Sequence, residues 1–210
     1  MNRRLDKGLD ELQNIILDMA KHSEKTVLSA IDAYKQGKNL REEIYESSKN
    51  IRNLENEVSQ LSVELIARNQ PVASDLRFIK SCMEIAHGFY RFGRYAYDIS
   101  QVLEIFEDLS ICDKSSMEKA ANQANKMIKL SIKAFIERDL TIAQKLREMD
   151  EVVDTIYLDF VKKAANTPDA SLKCSLSGTL ILRYIERIAD HAVYIGDSVV
   201  YIISGKRDLK

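Results

Sequence analysis

The sequence predicts an all-α protein made of two tandem three-helix bundles. Apolar residues recur at three- and four-residue steps over long stretches, which is the period of one helix face. The 210 residues include only 7 glycines and 2 prolines, so the elements should be few and long. The order helix, short break, helix, turn and long helix occurs twice along the chain. No segment alternates like a strand, and no Gly-rich phosphate loop is present.

In the first half, the apolar residues of one helical face run from the start of the chain to about Lys35, and Gly37 follows as a C-cap. A second helix is predicted from about Asn39 to the turn before Pro71, because proline cannot continue a helix but suits its first turn. The sequence SDLRFIK then opens a third helix that runs to about Glu107.

The second half repeats this order after a polar linker, residues 108–116. A fourth helix begins near Met117, and the break at residues 137–139 leads to a fifth. Thr167 and Pro168 predict an N-cap and a first helical residue for the sixth helix. Placing Asp190 on Arg94 aligns the two halves. We therefore predict one bundle over residues 1–107 and a second over residues 108–210.

Charge and hydropathy exclude several partners. Lys and Arg total 31 against 32 for Asp and Glu, so no electrostatic argument favours nucleic acid or an anionic membrane. No apolar run approaches the about 20 residues of a membrane span, and the N-terminus lacks a signal-peptide core. We therefore expect a cytoplasmic protein with no direct membrane insertion.

The three cysteines are Cys82, Cys112 and Cys174, which lie far apart and form no CxxC pair. Widely spaced cysteines of this kind are typical of a reduced cytosolic protein. We expect all three to be small buried residues without a disulfide.

Carboxylates on the last two helices form the candidate site. Glu186 and Asp190 lie four residues apart on one face of the sixth helix, with Asp197 two turns further on. Asp150 and Asp154 form a matching pair on the fifth helix. If the two helices are antiparallel neighbours, these oxygens converge and suit a hard cation such as Mg²⁺, Mn²⁺ or Fe³⁺. The alternative is that the acids lie on solvated faces, or that Arg183 and Arg187 neutralise them.

Three motifs resemble the signature regions of the PhoU family: QPVASDLRFIK at residues 70–80, DEVVDTIY at 150–157 and RYIERIADHAVYIGD at 183–197. The resemblance covers both repeats. It implies cytoplasmic tandem three-helix bundles that regulate phosphate uptake and bind metal through E/DxxxD motifs, as iron or zinc clusters in some members. By this resemblance Asp150, Asp154, Glu186 and Asp190 are the second-repeat ligands, and Asp197 takes a position where the family often has Glu.

The first repeat departs from the family pattern. Ser48, Arg52, Tyr90 and Arg94 stand where the family has carboxylates, so we predict no metal site there. The two arginines could bind an anion such as phosphate. Because arginines in helical bundles usually pair with local carboxylates, we favour pairing with Glu55 or Asp98.

The leading hypothesis is a non-enzymatic, metal-binding adaptor that negatively controls phosphate uptake and phosphate-starvation signalling. The resemblance implies docking on a phosphate ABC transporter ATPase or a phosphate sensor histidine kinase, and a homodimer. The metal candidates are iron, zinc, magnesium and manganese. The alternatives are a carboxylate-bridged metalloenzyme of the di-iron type and a metal-free helical interaction module. Glu84 and His87 supply only half of a di-iron ExxH pattern.

Overall fold

The computed structural model describes residues 3–167 and 171–206, and these residues form six α-helices. The first three helices are α1 (Arg3–Gln36), α2 (Arg41–Asn69) and α3 (Ala73–Phe106). The next three are α4 (Ser115–Glu137), α5 (Leu140–Ala165) and α6 (Leu172–Ser204). The predicted all-α class and the tandem order of two three-helix repeats are confirmed. The exact boundary between residues 107 and 108 stays a prediction within the non-helical segment that joins α3 to α4.

The C-terminus of α1 and the N-terminus of α5 are formed by residue types that are typical of helix caps. Gly37 has φ +66°, and the Lys38 amide donates to the Ala33 carbonyl at 2.9 Å, so the predicted C-cap closes α1. Asp139 caps α5, where its carboxylate accepts from the amides of Thr141 and Ile142. Both caps satisfy backbone groups that a helix leaves unpaired at its ends.

The predicted start of α6 and the predicted placement of Pro71 in the first turn of α3 are wrong, although α3 begins within one residue of its predicted start. Helix α6 begins at Leu172 with Ser171 as its N-cap, not with Thr167, whose hydroxyl instead donates back to the Lys163 carbonyl. Pro168, predicted as the first helical residue, lies outside the described residues. Pro71 precedes the extended N-cap Val72 and is not in α3. At α6 the hydroxyl of Ser171, which accepts from the Cys174 amide, takes the capping role that Thr167 was predicted to have.

The two repeats pack through α3 and α6, which run antiparallel. Gly88 faces Ile195, Tyr95 stacks on Tyr184 with 6.3 Å between ring centroids, and Lys80 lies 5.0 Å from the ring centroid of Tyr201. A Cβ at position 88 would lie 2.9 Å from Cγ1 of Ile195, so the glycine sets how closely the helices approach. One continuous apolar core therefore runs through both repeats.

Helices α5 and α6 are also antiparallel neighbours. Leu146 packs against Gly196 at one end of the pair, and Phe160 packs against Gly178 at the other. This arrangement confirms the assumption behind the candidate site, because it places the acidic face of α5 beside that of α6. In the part of the chain that the structure describes, no helix is long and apolar enough to cross a membrane.

A disulfide joins Cys112 to Cys174, which corrects the prediction of three unpaired cysteines. The two residues are 62 positions apart in sequence, but their Cα atoms are 5.4 Å apart because α6 returns beside the linker. The spacing of the cysteines in the sequence does not indicate this contact. Cys82 does match the prediction, since it is a free thiol with no solvent exposure.

Candidate metal site

Glu186 is the most buried of the predicted ligands, with 8% of its surface exposed. One carboxylate oxygen accepts a hydrogen bond from Arg183 at 2.6 Å. The other oxygen is buried and accepts no hydrogen bond from any described residue, and Nε of Arg187 lies 3.7 Å away. A buried carboxylate oxygen with this little solvation is costly, and a cation would relieve that cost.

Asp190 lies one turn further along α6 and is held by the same arginine. Its Oδ2 accepts a hydrogen bond from Arg187 at 3.2 Å. Burial raises the pKa of Asp190, with Arg187 opposing the shift and the charge of Asp154 adding to it. Burial is also the largest cause that raises the pKa of Glu186, followed by the charge of Asp190. The folded protein therefore disfavours negative charge at both positions.

Asp154 completes an electrostatic cluster from α5. Its charge raises the pKa values of both Glu186 and Asp190, so the two acidic faces meet as the helical spacing predicts. Among the described residues, no cation lies within ion-pair distance of the Asp154 carboxylate. The structure thus brings three of the predicted ligands close enough for their charges to interact: Asp154, Glu186 and Asp190.

The other two predicted ligands lie around Tyr194. The charges of Asp190, Asp150 and Asp197 all raise the pKa of this half-exposed tyrosine, although burial is the largest cause. Asp197 is engaged by Arg147, whose Nε and second guanidinium nitrogen donate to Oδ1 at 3.2 and 2.7 Å. Arg147 was missed by the sequence reasoning. Its signal was available, since it lies one turn before Asp150 on the same acidic face.

The carboxylate oxygens suit a hard cation, but Arg183 and Arg187 form hydrogen bonds to two of these carboxylates in this structure. All three clustered side chains offer carboxylate oxygens, and one buried oxygen of Glu186 is without a hydrogen bond from the described residues. Across residues 3–167 and 171–206, no three His, Cys, Asp or Glu side chains are arranged to hold one ion as they stand. Arg183 and Arg187 are 37% and 41% exposed, so both could swing into solvent as a cation enters.

The first repeat has ion pairs where the second has its carboxylates. Arg94 binds Asp98 at 3.0 Å, which confirms the pairing interpretation for this arginine. Glu55 instead contacts His87 at 3.0 Å, and His87 is exposed, as expected for a surface histidine. No ion pair of the exposed Arg52 was found among the described residues. The absence of a metal site in this repeat stays a prediction.

A ring cluster lies on the seam between the repeats and borders the carboxylates. His191 packs against Tyr95, Tyr194 and His87, with ring centroids 5.8, 5.3 and 6.3 Å away. Burial lowers the pKa of His191 to about 4, with Arg91, His87 and Arg187 adding to the effect. The histidine is therefore neutral at pH 7 and flanks the carboxylate cluster.

The fold and this cluster together define a class of protein, a tandem three-helix-bundle protein with carboxylates facing each other across the last two helices. Comparison with known proteins gives the family. The PhoU domain model matches twice, over residues 16–103 and 117–199. A relative from Clostridium acetobutylicum, a "Phosphate-specific transport system accessory protein PhoU homolog", is 30% identical over 99% of this chain and 98% of its own length. The chain belongs to the PhoU family.

Other relatives agree across their whole length. A Methanothermobacter thermautotrophicus protein, a "Phosphate-specific transport system accessory protein PhoU homolog 1", is 27% identical over 94% of this chain and 93% of its own length. The crystal structure of PhoU from Pseudomonas aeruginosa matches with a TM-score of 0.87 at 27% identity, covering 96% of this chain and 99% of that one. A Streptococcus pneumoniae structure, at 22% identity and a TM-score of 0.90, matches the fold over 98% of this chain. The family is one of regulatory accessory proteins, in agreement with the prediction of a non-enzymatic protein.

Proposed function

We infer that this protein is a regulator of phosphate transport that acts as an accessory to a phosphate-specific transport system. One observation carries the inference: both repeats match the PhoU domain model, and full-length relatives are described as accessory proteins of that system. The two repeats form one packed body with a shared core. A protein of this kind regulates a partner by binding to it, which requires no catalytic step.

We propose that the bundle works in the cytoplasm, as a homodimer, by docking on the transporter ATPase and on a phosphate sensor histidine kinase. A docked protein shifts a partner's conformational equilibrium only if it binds one conformation more tightly than the other. Negative control of uptake therefore requires tighter binding to the inactive form of the ATPase. Less phosphate uptake and less starvation signalling would follow from the same preference.

The regulatory proposal is tested with the full chain in a bacterium that lacks its own PhoU-family protein. Expression should lower the phosphate uptake rate and restore repression of a phosphate-starvation reporter. The purified chain should also retain the transporter ATPase in a pull-down. An unchanged uptake rate together with no retained ATPase would contradict the proposal. A catalytically inactive ATPase serves as a control that separates binding from turnover.

We propose further that Asp154, Glu186 and Asp190 hold a metal ion, with Asp150 beside them. Iron, zinc, magnesium and manganese are the candidates, and the oxygen donors favour the harder ions. Support comes from the raised pKa values of Glu186 and Asp190 and from the buried Glu186 oxygen. A bound cation would neutralise the cluster and order the α5–α6 face. Asp197 joins the site only if it leaves Arg147.

Arg187 makes this proposal falsifiable, because it competes with a cation for the same carboxylates. Arg187→Met should raise the affinity for the preferred metal at least tenfold, while Glu186→Ala/Asp190→Ala should abolish binding. Elemental analysis and titration calorimetry give the stoichiometry and affinity. The control is Asp6→Asn/Asp10→Asn, which removes an acidic pair of the same spacing on α1. Equal affinity of wild-type protein and Arg187→Met would contradict a site at this cluster.

A metal-free interaction module is the second candidate, and the ion pairs of Arg183 and Arg187 favour it. In this case the arginines are permanent partners of the carboxylates. Arg187→Met should then destabilise the fold and leave metal binding undetectable in every variant. The regulatory proposal stands in either case, since docking on the ATPase is measured without metal.

A further inference from the structure

The disulfide between Cys112 and Cys174 links the connection between the repeats to the first turn of α6. It encloses the whole of α4 and α5, the two helices that precede α6 in the second repeat. Neither cysteine belongs to the carboxylate cluster. The bond therefore fixes the linker to the second repeat without taking part in the candidate metal site.

The same short stretch of the linker is also fixed to the first repeat. Lys114 donates hydrogen bonds to the carbonyls of Tyr34 and Lys35 at 3.2 and 3.0 Å, at the end of α1. Its ammonium group lies 5.2 Å from the ring centroid of Tyr34. A cation is favourable at these carbonyls because they carry the negative end of the helix dipole. Residues 112–114 thus connect both repeats at one end of the molecule.

The opposite end is held by contacts that do not depend on the disulfide. Phe78 of α3 stacks on Phe135 of α4 with 6.3 Å between centroids, and Arg138 lies 5.3 Å from the Phe78 ring centroid. Lys80 lies over Tyr201 of α6. Breaking the disulfide would therefore free the linker from α6, while Lys114 still binds it to α1 and the other end and the α3–α6 seam stay packed.

We propose that Cys112 and Cys174 form a reversible redox clamp that fixes the inter-repeat linker to α6 when oxidised and releases it from α6 when reduced. The oxidant is a low-molecular-weight disulfide. The thiolate of Cys174, the more exposed of the two, attacks one sulfur of the reagent, and one reagent thiol leaves. The thiolate of Cys112 then displaces the second reagent thiol. Two protein thiols lose two protons and two electrons, and the reagent disulfide becomes two thiols; a dithiol reverses the reaction.

Cys82 gives an internal control. It has no solvent exposure, and burial raises the pKa of its thiol to about 12. A buried thiol that stays protonated does not exchange or alkylate at neutral pH. The reactive thiols of the folded protein should therefore be Cys112 and Cys174, while Cys82 reacts only after unfolding.

The test equilibrates the full-length protein in buffers of oxidised and reduced glutathione and counts alkylated thiols by mass spectrometry. The folded, reduced protein should gain two alkyl groups and the oxidised protein none. Hydrogen exchange of residues 107–114 should be at least tenfold faster in the reduced form, while the core of α3 exchanges at an equal rate in both forms. In Cys112→Ser, the linker should exchange at the fast rate in both buffers.

Three outcomes would overturn the proposal. The first is full alkylation of Cys112 and Cys174 in both buffers, which would mean that no bond forms. The second is a bond that dithiols reduce only after the helices unfold, which would make it a permanent crosslink. The third is equal exchange of the linker in the two redox forms. Circular dichroism of the reduced protein checks that helicity is kept in each measurement.

Discussion

Reducing the Cys112–Cys174 bond should lower the free energy of unfolding by an amount that follows from the length of the loop it closes. A crosslink stabilises a protein mainly by limiting the conformations of the unfolded chain. For cysteines 62 residues apart, the loop-entropy relation gives about 4 kcal/mol at 25 °C. The melting temperature of a chain of this size should fall by about 10 °C or more.

The assay is urea unfolding of one preparation, followed by circular dichroism with and without a phosphine reductant. The extrapolated free energies of the two forms give the contribution of the bond directly. Cys112→Ser, which cannot form the bond, should match the reduced wild-type protein and show no response to the reductant. This variant controls for effects of the reductant on the rest of the chain.

A loss below about 1 kcal/mol on reduction would refute the reasoning. It would mean that the linker and the start of α6 are already close in the unfolded chain, or that the bond does not form in solution. A loss well above 5 kcal/mol would also disagree, because loop entropy cannot supply it. Packing beyond the linker would then depend on the bond as well.

Three other substitutions test separate features of the fold. Gly88→Ala should destabilise by about 1 kcal/mol in urea unfolding, because overpacking Ile195 costs about 1–3 kcal/mol and helix propensity returns about 1; a stabilised variant would mean a looser seam between the repeats. Tyr34→Phe should be neutral or stabilising, because the buried hydroxyl bonds to no described residue; a loss above about 1 kcal/mol would show that it is hydrogen-bonded in solution. Glu186→Gln should be more stable than wild type at pH 7, and the difference should vanish in acid, because a raised folded-state pKa costs stability that builds up as pH rises above the unfolded-state pKa and is complete above the folded-state pKa. A difference that does not change between pH 4 and pH 8 would contradict this assignment.

Local sequence determined the helices and the acidic faces. The three- and four-residue period of apolar residues is a property of a single helix, so all six helices could be predicted from neighbouring positions. The pairs Asp150/Asp154 and Glu186/Asp190 share faces for the same reason. Gly37 and Asp139 end and begin their helices through bonds to residues a few positions away.

Some local ends could not be predicted because the residues involved carry weak signals. Gln70 and Arg138 end α2 and α4 with φ +45° and +51°, a backbone conformation that glycine usually takes. Ser171 rather than Thr167 caps α6. Several polar residues could cap a helix locally, and the packing of the whole helix selects among them.

Tertiary structure alone decided which charges and thiols meet. Arg147 of α5 donates to Asp197 of α6, so Asp197 has a cationic partner of its own apart from the three clustered carboxylates. Cys112 meets Cys174 only because α4 and α5 return the chain to its linker. Such pairs depend on the crossing of distant helices, which sequence periodicity does not encode. The sequence by itself determined which residues could form a site, and the packing of α5 on α6 decided which of them lie together.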